Sequence, residues 1–237
     1  MIFGNHIRFH SESENQDHLI WENLNKQIKD FKMSKYTIQQ IKKAVESKGY
    51  KWFNDTSNKG YDVNIVGVRN SSTNGIVTNR FDDSLTVSYK DLNGKWCFHC
   101  FDATTDPGSH YEKNLLNKDG VAILKPGQYR GSHKIGLHQG RYEALKQQRA
   151  VKVYRDNNRD GKYDLNEANV HEGIYGINIH RATKWEGRKS TQIDKWSAGC
   201  QVIAANDDFR LFMEIMKKAA GIWGNSFSYT LIESKDI

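Results

Sequence analysis

The sequence predicts a mainly β, sandwich-like domain with flanking helices, and three observations predict it. After Gly60 the chain changes to short runs rich in β-branched and aromatic residues, at 61–68, 84–89, 95–101, 150–155 and 173–180, each bounded by turn-forming residues. Helical spacing of apolar residues is confined to two well-marked stretches, 37–48 and 206–219. Turn signals punctuate the β-rich part. Asn93-Gly94 predicts a two-residue type I′ hairpin, and the only two prolines, Pro107 and Pro126, each precede a glycine as in type II turns.

Taken in order, residues 1–32 read as a polar extension in which Leu19, Ile20, Leu24 and Ile28 give a faint helical pattern. Met33-Ser34-Lys35 resembles an ordinary protein start, which raises the alternative that translation begins there. Residues 33–60 form a short helical segment packed on the core. Thr37 is its N-cap, Ile38, Ile41, Ala44 and Val45 its apolar stripe, Gly49 its stop, and Tyr50, Trp52 and Phe53 extend the contact. Residues 61–237 form the main β-rich domain. Within it Asn206 is expected to cap a second helix, Asp207 and Asp208 suit its first turn, and Phe209, Phe212, Met213 and Met216 share its buried face. The run at 226–232 returns as a last strand.

Composition narrows the function classes. With 237 residues and 37% hydrophobic content, the chain supports one substantial core. The net charge of +7 comes from basic residues scattered along the chain and not gathered into a stripe, so no nucleic-acid partner is expected. No apolar run reaches the roughly 20 residues that span a bilayer. Met1 to Phe9 lacks the features of a secretory leader, so the expectation is a soluble protein made in the cytoplasm. Three cysteines cannot all pair with one another, which leaves at least one thiol available for chemistry.

Two motifs suggest metals. Cys97-Phe98-His99-Cys100 contains a C-x-x-C, but residues three apart on a strand face opposite ways and no second pair completes four ligands. Buried, inert thiols are the better account. Residues 156–167 satisfy the calcium-loop pattern, with Asp156, Asn158, Asp160, Asp164 and Glu167 as side-chain ligands, the Lys162 carbonyl as another, and Gly161 at the bend. The strand expected before this loop departs from helix-loop-helix, so a structural calcium ion and a plain Asp/Asn/Gly turn are both open readings.

The sharpest chemistry lies in Ile177-Asn178-Ile179-His180 and, after a basic loop, Ser197-Ala198-Gly199-Cys200-Gln201. On a strand, Ile177 and Ile179 share one face while Asn178 and His180 share the other, so the histidine projects from the apolar layer. Gly199 can take positive φ and turn the chain tightly before Cys200, aiming N–H groups at an oxyanion, and Ser197 can brace that turn. Arg181, Lys184, Arg188, Lys189 and Lys195 outnumber Glu186 and Asp194 in the loop, which suits a substrate bearing carboxylates.

This combination resembles the active-site motif of the L,D-transpeptidases, the YkuD-type cysteine enzymes of peptidoglycan. The likeness covers roughly residues 170–205, and more weakly the β-rich run from about 61 onward. It implies a sandwich-like catalytic domain of that type, with Cys200 as nucleophile, His180 as base, the Arg181 carbonyl orienting the ring, and N–H groups of Gly199 and Cys200 in the oxyanion hole. Lys195 and Gln201 become substrate-binding candidates. Ala198 stands where the family usually has His, and Gln201-Val202 stands where it has an apolar residue followed by Asn or Arg. The implied activity is acyl transfer or hydrolysis on peptidoglycan peptides, requiring no cofactor. The lack of a leader then points to a phage-encoded protein reaching the wall through a lysis pore or a virion. A wall-binding or virion structural module that keeps the fold is the alternative.

Overall fold

The computed structural model describes residues 34–237, so the readings of 1–32 as an extension and of Met33 as a start lie outside the described residues. Helix α1 (Ile38–Ser47) begins at Thr37, whose side chain accepts from Gln40 N while Gln40 Oε1 accepts from Thr37 N, a reciprocal capping box. Ile41, Ala44 and Val45 pack with Trp52, Val66, Val68 and Ile232, as the stripe predicts. Gly49, at φ 73, ends the helix.

Eight strands close into a barrel: β1 (Asn64–Arg69), β2 (Asp83–Lys90), β3 (Trp96–Thr104), β5 (Gly127–His138), β6 (Tyr142–Gln147), β9 (Ile179–Arg181), β10 (Gln201–Ile203) and β11 (Phe227–Glu233). A three-stranded sheet of β4 (Val121–Leu124), β7 (Val151–Asp156) and β8 (Val170–Gly173) lies beside it. The mainly β class is as predicted, and eight of its strands close into a barrel. Closure follows from pairings remote in sequence: β1 takes β11 in parallel on one side and β2 antiparallel on the other, so no barrel edge stays open.

The main core joins inward barrel residues such as Ile65, Leu85, Leu145, Ile179 and Tyr229 to Ala122, Leu124, Val151 and Val153 of the small sheet. Phe209, Phe212, Met213 and Met216 of α3 (Asn206–Trp223) complete it. Position 67 needs glycine, because a Cβ there would overlap the Tyr229 hydroxyl. No helix among the described residues is long and apolar enough to cross a membrane.

The β2–β3 connection is longer than a two-residue turn: Asp91 Oδ1 accepts from both Asn93 N and Lys95 N at 2.9 Å, and Gly94 alone carries positive φ. Gly108 has φ −81 and Gly127 is absent from the positive-φ glycines, so neither Pro-Gly pair makes a type II turn. Asn206 is the first residue of α3 and not its cap; the capping position is Ala205, and Asn206 Oδ1 accepts from Arg181 Nη1 at 3.2 Å. The run at 173–180 is broken between β8 and β9, because Gln147 Oε1 accepts from Tyr175 N and Ile177 N and so substitutes for a neighbouring strand. Cys97 packs toward the main core and Cys100 toward the α1 cluster, on opposite faces of β3 as expected, though both are half-buried.

Candidate active site

Strands β9 and β10 run parallel, with His180 opposite Val202 and Ile179 opposite Gln201. Gln201 N donates to Asn178 O at 2.8 Å, carrying the ladder back toward Cys200. Strand parity therefore sets His180 and Val202 on one face, and Ile179, Gln201 and Ile203 on the face turned into the barrel, while the Gln201 N–Asn178 O bond brings Cys200, just before β10, close to the chain leading into β9. The two motifs separated in sequence become neighbours through this pairing.

His180 is only 4% exposed, which corrects the expectation that parity leaves it projecting into solvent. The outward face is covered: the His138 ring stacks on His180 with centroids 4.2 Å apart, and the Tyr142 hydroxyl lies 3.4 Å from its Nδ1. His180 Nδ1 is 2.9 Å from Arg181 O. A carbonyl can only accept, so Nδ1 carries the proton and Nε2 keeps the lone pair that a base needs. The Arg181 side chain is used structurally, lying over the Tyr142 ring at 4.2 Å and donating to Asn206.

Burial lowers the His180 pKa to about 3, the charge of His138 adding to the effect and the Arg181 carbonyl opposing it. Burial pushes the Cys200 thiol up to about 11, against a hydrogen bond from the Asn178 backbone. The Cys200 Sγ donates to Gly176 O at 3.2 Å. At neutral pH the resting pair is therefore thiol and neutral imidazole. Forming thiolate and imidazolium costs on the order of 10 kcal/mol before their mutual attraction is counted. This arrangement favours general-base removal of the proton during attack over a preformed ion pair.

The turn before Cys200 is tightly tied. Ser197 Oγ donates to Cys200 O at 2.8 Å and accepts from Gly199 N at 3.1 Å, so Ser197 braces the turn as predicted. The same bond corrects the role given to Gly199, whose N–H is already occupied and is not free for an oxyanion. Gly199 has φ 132, and a Cβ there would overlap Ala122 O of β4. Glycine is required both by conformation and by that approach. Ser197 O in turn accepts from Gly108 N at 2.8 Å.

Gln201 is not a substrate contact. It is 0% exposed, its Oε1 accepts from the Tyr229 hydroxyl at 2.6 Å, and its Nε2 faces Thr105 O and Gly199 O. Lys195 is exposed on the loop, whose base is held by Asp194 N to Asn79 Oδ1 at 2.8 Å and Trp196 N to Ile193 O at 2.8 Å. Two other basic residues of the loop are engaged: Lys189 pairs with Asp102, and Lys184 lies over the Trp185 ring. A hollow of about 340 Å³ opens beside Ala198, lined by Tyr111, Leu116, Arg155, Ile174 and Tyr175 among others. Arg155 caps Tyr175 there, with its guanidinium carbon 4.8 Å from the ring centroid.

The calcium-pattern residues are held differently from the expected loop. Glu167 forms an ion pair with Lys125 and accepts from the Tyr154 hydroxyl at 2.8 Å, so it does not close the loop as the twelfth ligand. Among the described residues no three acidic, His or Cys side chains already stand at metal-ligand spacing.

Sequence reading missed His138, Tyr142 and Gly176. Gln139 and Gly140, both at positive φ, turn β5 back into β6 and bring His138 and Tyr142 over His180. Only Gly140 offered a signal for that turn. Comparison with protein-family models, curated proteins and solved structures finds no match for this chain.

Proposed function

We propose that the protein is a cysteine-dependent acyltransferase or peptidase acting on peptidoglycan stem peptides. The observation that carries this reading is the Arg181 carbonyl on His180 Nδ1, which leaves Nε2 as acceptor on a strand paired with the one that Cys200 leads into. The resemblance of the two motifs to those of L,D-transpeptidases supplies the substrate class and the sandwich-like catalytic fold type. In the reaction His180 Nε2 takes the thiol proton as Cys200 Sγ bonds to a peptide carbonyl carbon. The C–N bond then breaks, the amine leaves with the proton from His180, and a thioester remains on Cys200. An incoming amine or water attacks that thioester, gives up its proton to His180, and releases the thiol. With the Gly199 N–H occupied, the Cys200 N–H is the oxyanion donor that the resemblance leaves, and the hollow beside Ala198, with Arg155, offers room and positive charge for a stem peptide.

The electrically neutral resting pair favours a second reading, a wall-binding or virion structural module that keeps the fold without the reaction. Incubation with defined muropeptides followed by mass analysis separates the two. Loss of dimers in wild type but not in Cys200→Ala or His180→Ala identifies hydrolysis, and gain of dimers identifies transfer. Identical products from all three proteins overturn the enzymatic reading, and sacculus binding retained by Cys200→Ala then supports the module.

A further inference from the structure

We propose that the loop from Asp156 to Asp164 binds a calcium ion, and that Glu112 of α2 (Ser109–Lys113) supplies the carboxylate that Glu167 does not. This rests on the loop and Glu112 and is independent of the role given to Cys200.

Asp156 is 2% exposed, and while its Oδ1 accepts from Asn158 N at 3.3 Å, its Oδ2 is buried with no hydrogen-bond partner. A buried carboxylate oxygen with nothing to neutralise it is unfavourable unless a cation or donor meets it. The charges that act on it from nearby are Asp164, Asp160 and Glu112, all of its own sign. Glu112 is itself 2% exposed, and its Oε1 accepts at 3.0 Å from the N–H of Gly161, the bend residue of the loop. Asp160 Oδ2 and Asp164 Oδ2 converge on one atom, Asn158 Nδ2, at 3.3 and 3.1 Å. Two buried carboxylates, two more converging on a single donor, and a loop whose spacing matches a hard-cation pattern point to one occupant.

Oxygen ligands from Asp156, Asn158, Asp160, the Lys162 carbonyl, Asp164 and Glu112 suit calcium, which accepts six to eight oxygens in a flexible geometry. Magnesium demands a stricter octahedron and keeps its waters. Because among the described residues no three acidic side chains already stand at metal-ligand spacing, binding draws the loop closed and does not fill a finished cage. The closing loop is tied to the turn at Cys200. The Tyr163 hydroxyl donates to Pro107 O, and the adjoining Gly108 N donates to Ser197 O.

The test uses the full chain after chelation and desalting, titrated with calcium chloride by calorimetry and melted with calcium, magnesium or chelator. Wild type is expected to bind calcium and to gain about 5 °C in Tm at about a hundredfold excess over Kd. Glu112→Gln and Asp160→Asn are expected to weaken binding at least about tenfold, and Glu167→Gln to leave it unchanged. Asp160 lies on the exposed loop, so its variant reports even if Glu112→Gln does not fold. No heat and no Tm gain in wild type overturns the site. Loss of binding in Glu167→Gln with retention in Asp160→Asn overturns the ligand set, and an equal gain with magnesium overturns the choice of ion.

Discussion

The imidazoles of His138 and His180 stack with centroids 4.2 Å apart and planes 25° from parallel. Two rings so placed cannot both carry charge cheaply, and His138 accordingly adds to the burial that lowers the His180 pKa. Replacing His138 by Ala removes the repulsion and part of the cover, so His180 gains proton affinity. The acid limb of the kcat/KM profile is expected to move to higher pH in His138→Ala. A limb that stays in place or moves to lower pH in stopped-time muropeptide assays contradicts this role.

Buried neutral histidines also set the acid stability. His180 is held at about 3 and His133 at about 4, both by burial, against an ordinary value of 6.5. Above that ordinary value both states are neutral and nothing is lost. As pH falls below it the unfolded chain takes up protons that the folded chain refuses, so stability drops until the folded pKa is reached. At pH 5 the loss is on the order of 2 kcal/mol for each ring. Denaturant midpoints measured from pH 7.5 to 5 are expected to fall accordingly, and His133→Gln is expected to flatten the slope; an unchanged midpoint across that range refutes the account.

The raised thiol makes a kinetic prediction. With the Cys200 pKa near 11, alkylation by iodoacetamide in the absence of substrate is expected to climb about tenfold per pH unit from 7 to 10. Peptide mapping of the modified residue checks it. A rate at Cys200 that is already flat near pH 7 shows a thiolate stabilised by His180.

Inside the barrel the Tyr229 hydroxyl donates to Gln201 Oε1 at 2.6 Å, directly behind the residue that follows the thiol. Tyr229→Phe strands a buried acceptor and is expected to cost about 1–3 kcal/mol, read from urea unfolding. Gly199→Ala is expected to cost about 3 kcal/mol or more, since it combines φ 132 with overlap on Ala122 O. A Gly199→Ala protein of wild-type stability removes the argument that this glycine is obligatory.

What was legible in the sequence was local. The mainly β class came from runs and turn residues, α1 from the stripe and Thr37, α3 from the Phe and Met face, and the brace of the turn before Cys200 from Ser197 and Gly199. Each of these is decided by residues within a few positions of one another, through capping, periodicity or φ preference. Short strands such as β9 and β10, three residues each, carry too little pattern to be read that way.

Tertiary structure decided the rest, because partners distant in sequence supply the competing interactions. Barrel closure depends on β1 meeting β11, which alternating apolar residues fit as well in two layers as in a ring. Gln147 ends a strand that its own sequence would continue, and Tyr229 draws Gln201 away from solvent. Lys125 and Tyr154 take Glu167 from its loop while Glu112 arrives from α2. His180 itself is a residue the sequence exposes by parity, and His138 and Tyr142 bury it by folding over from a hairpin some forty positions earlier. Periodicity specifies which face a side chain takes, and only the packed neighbours specify what that face meets.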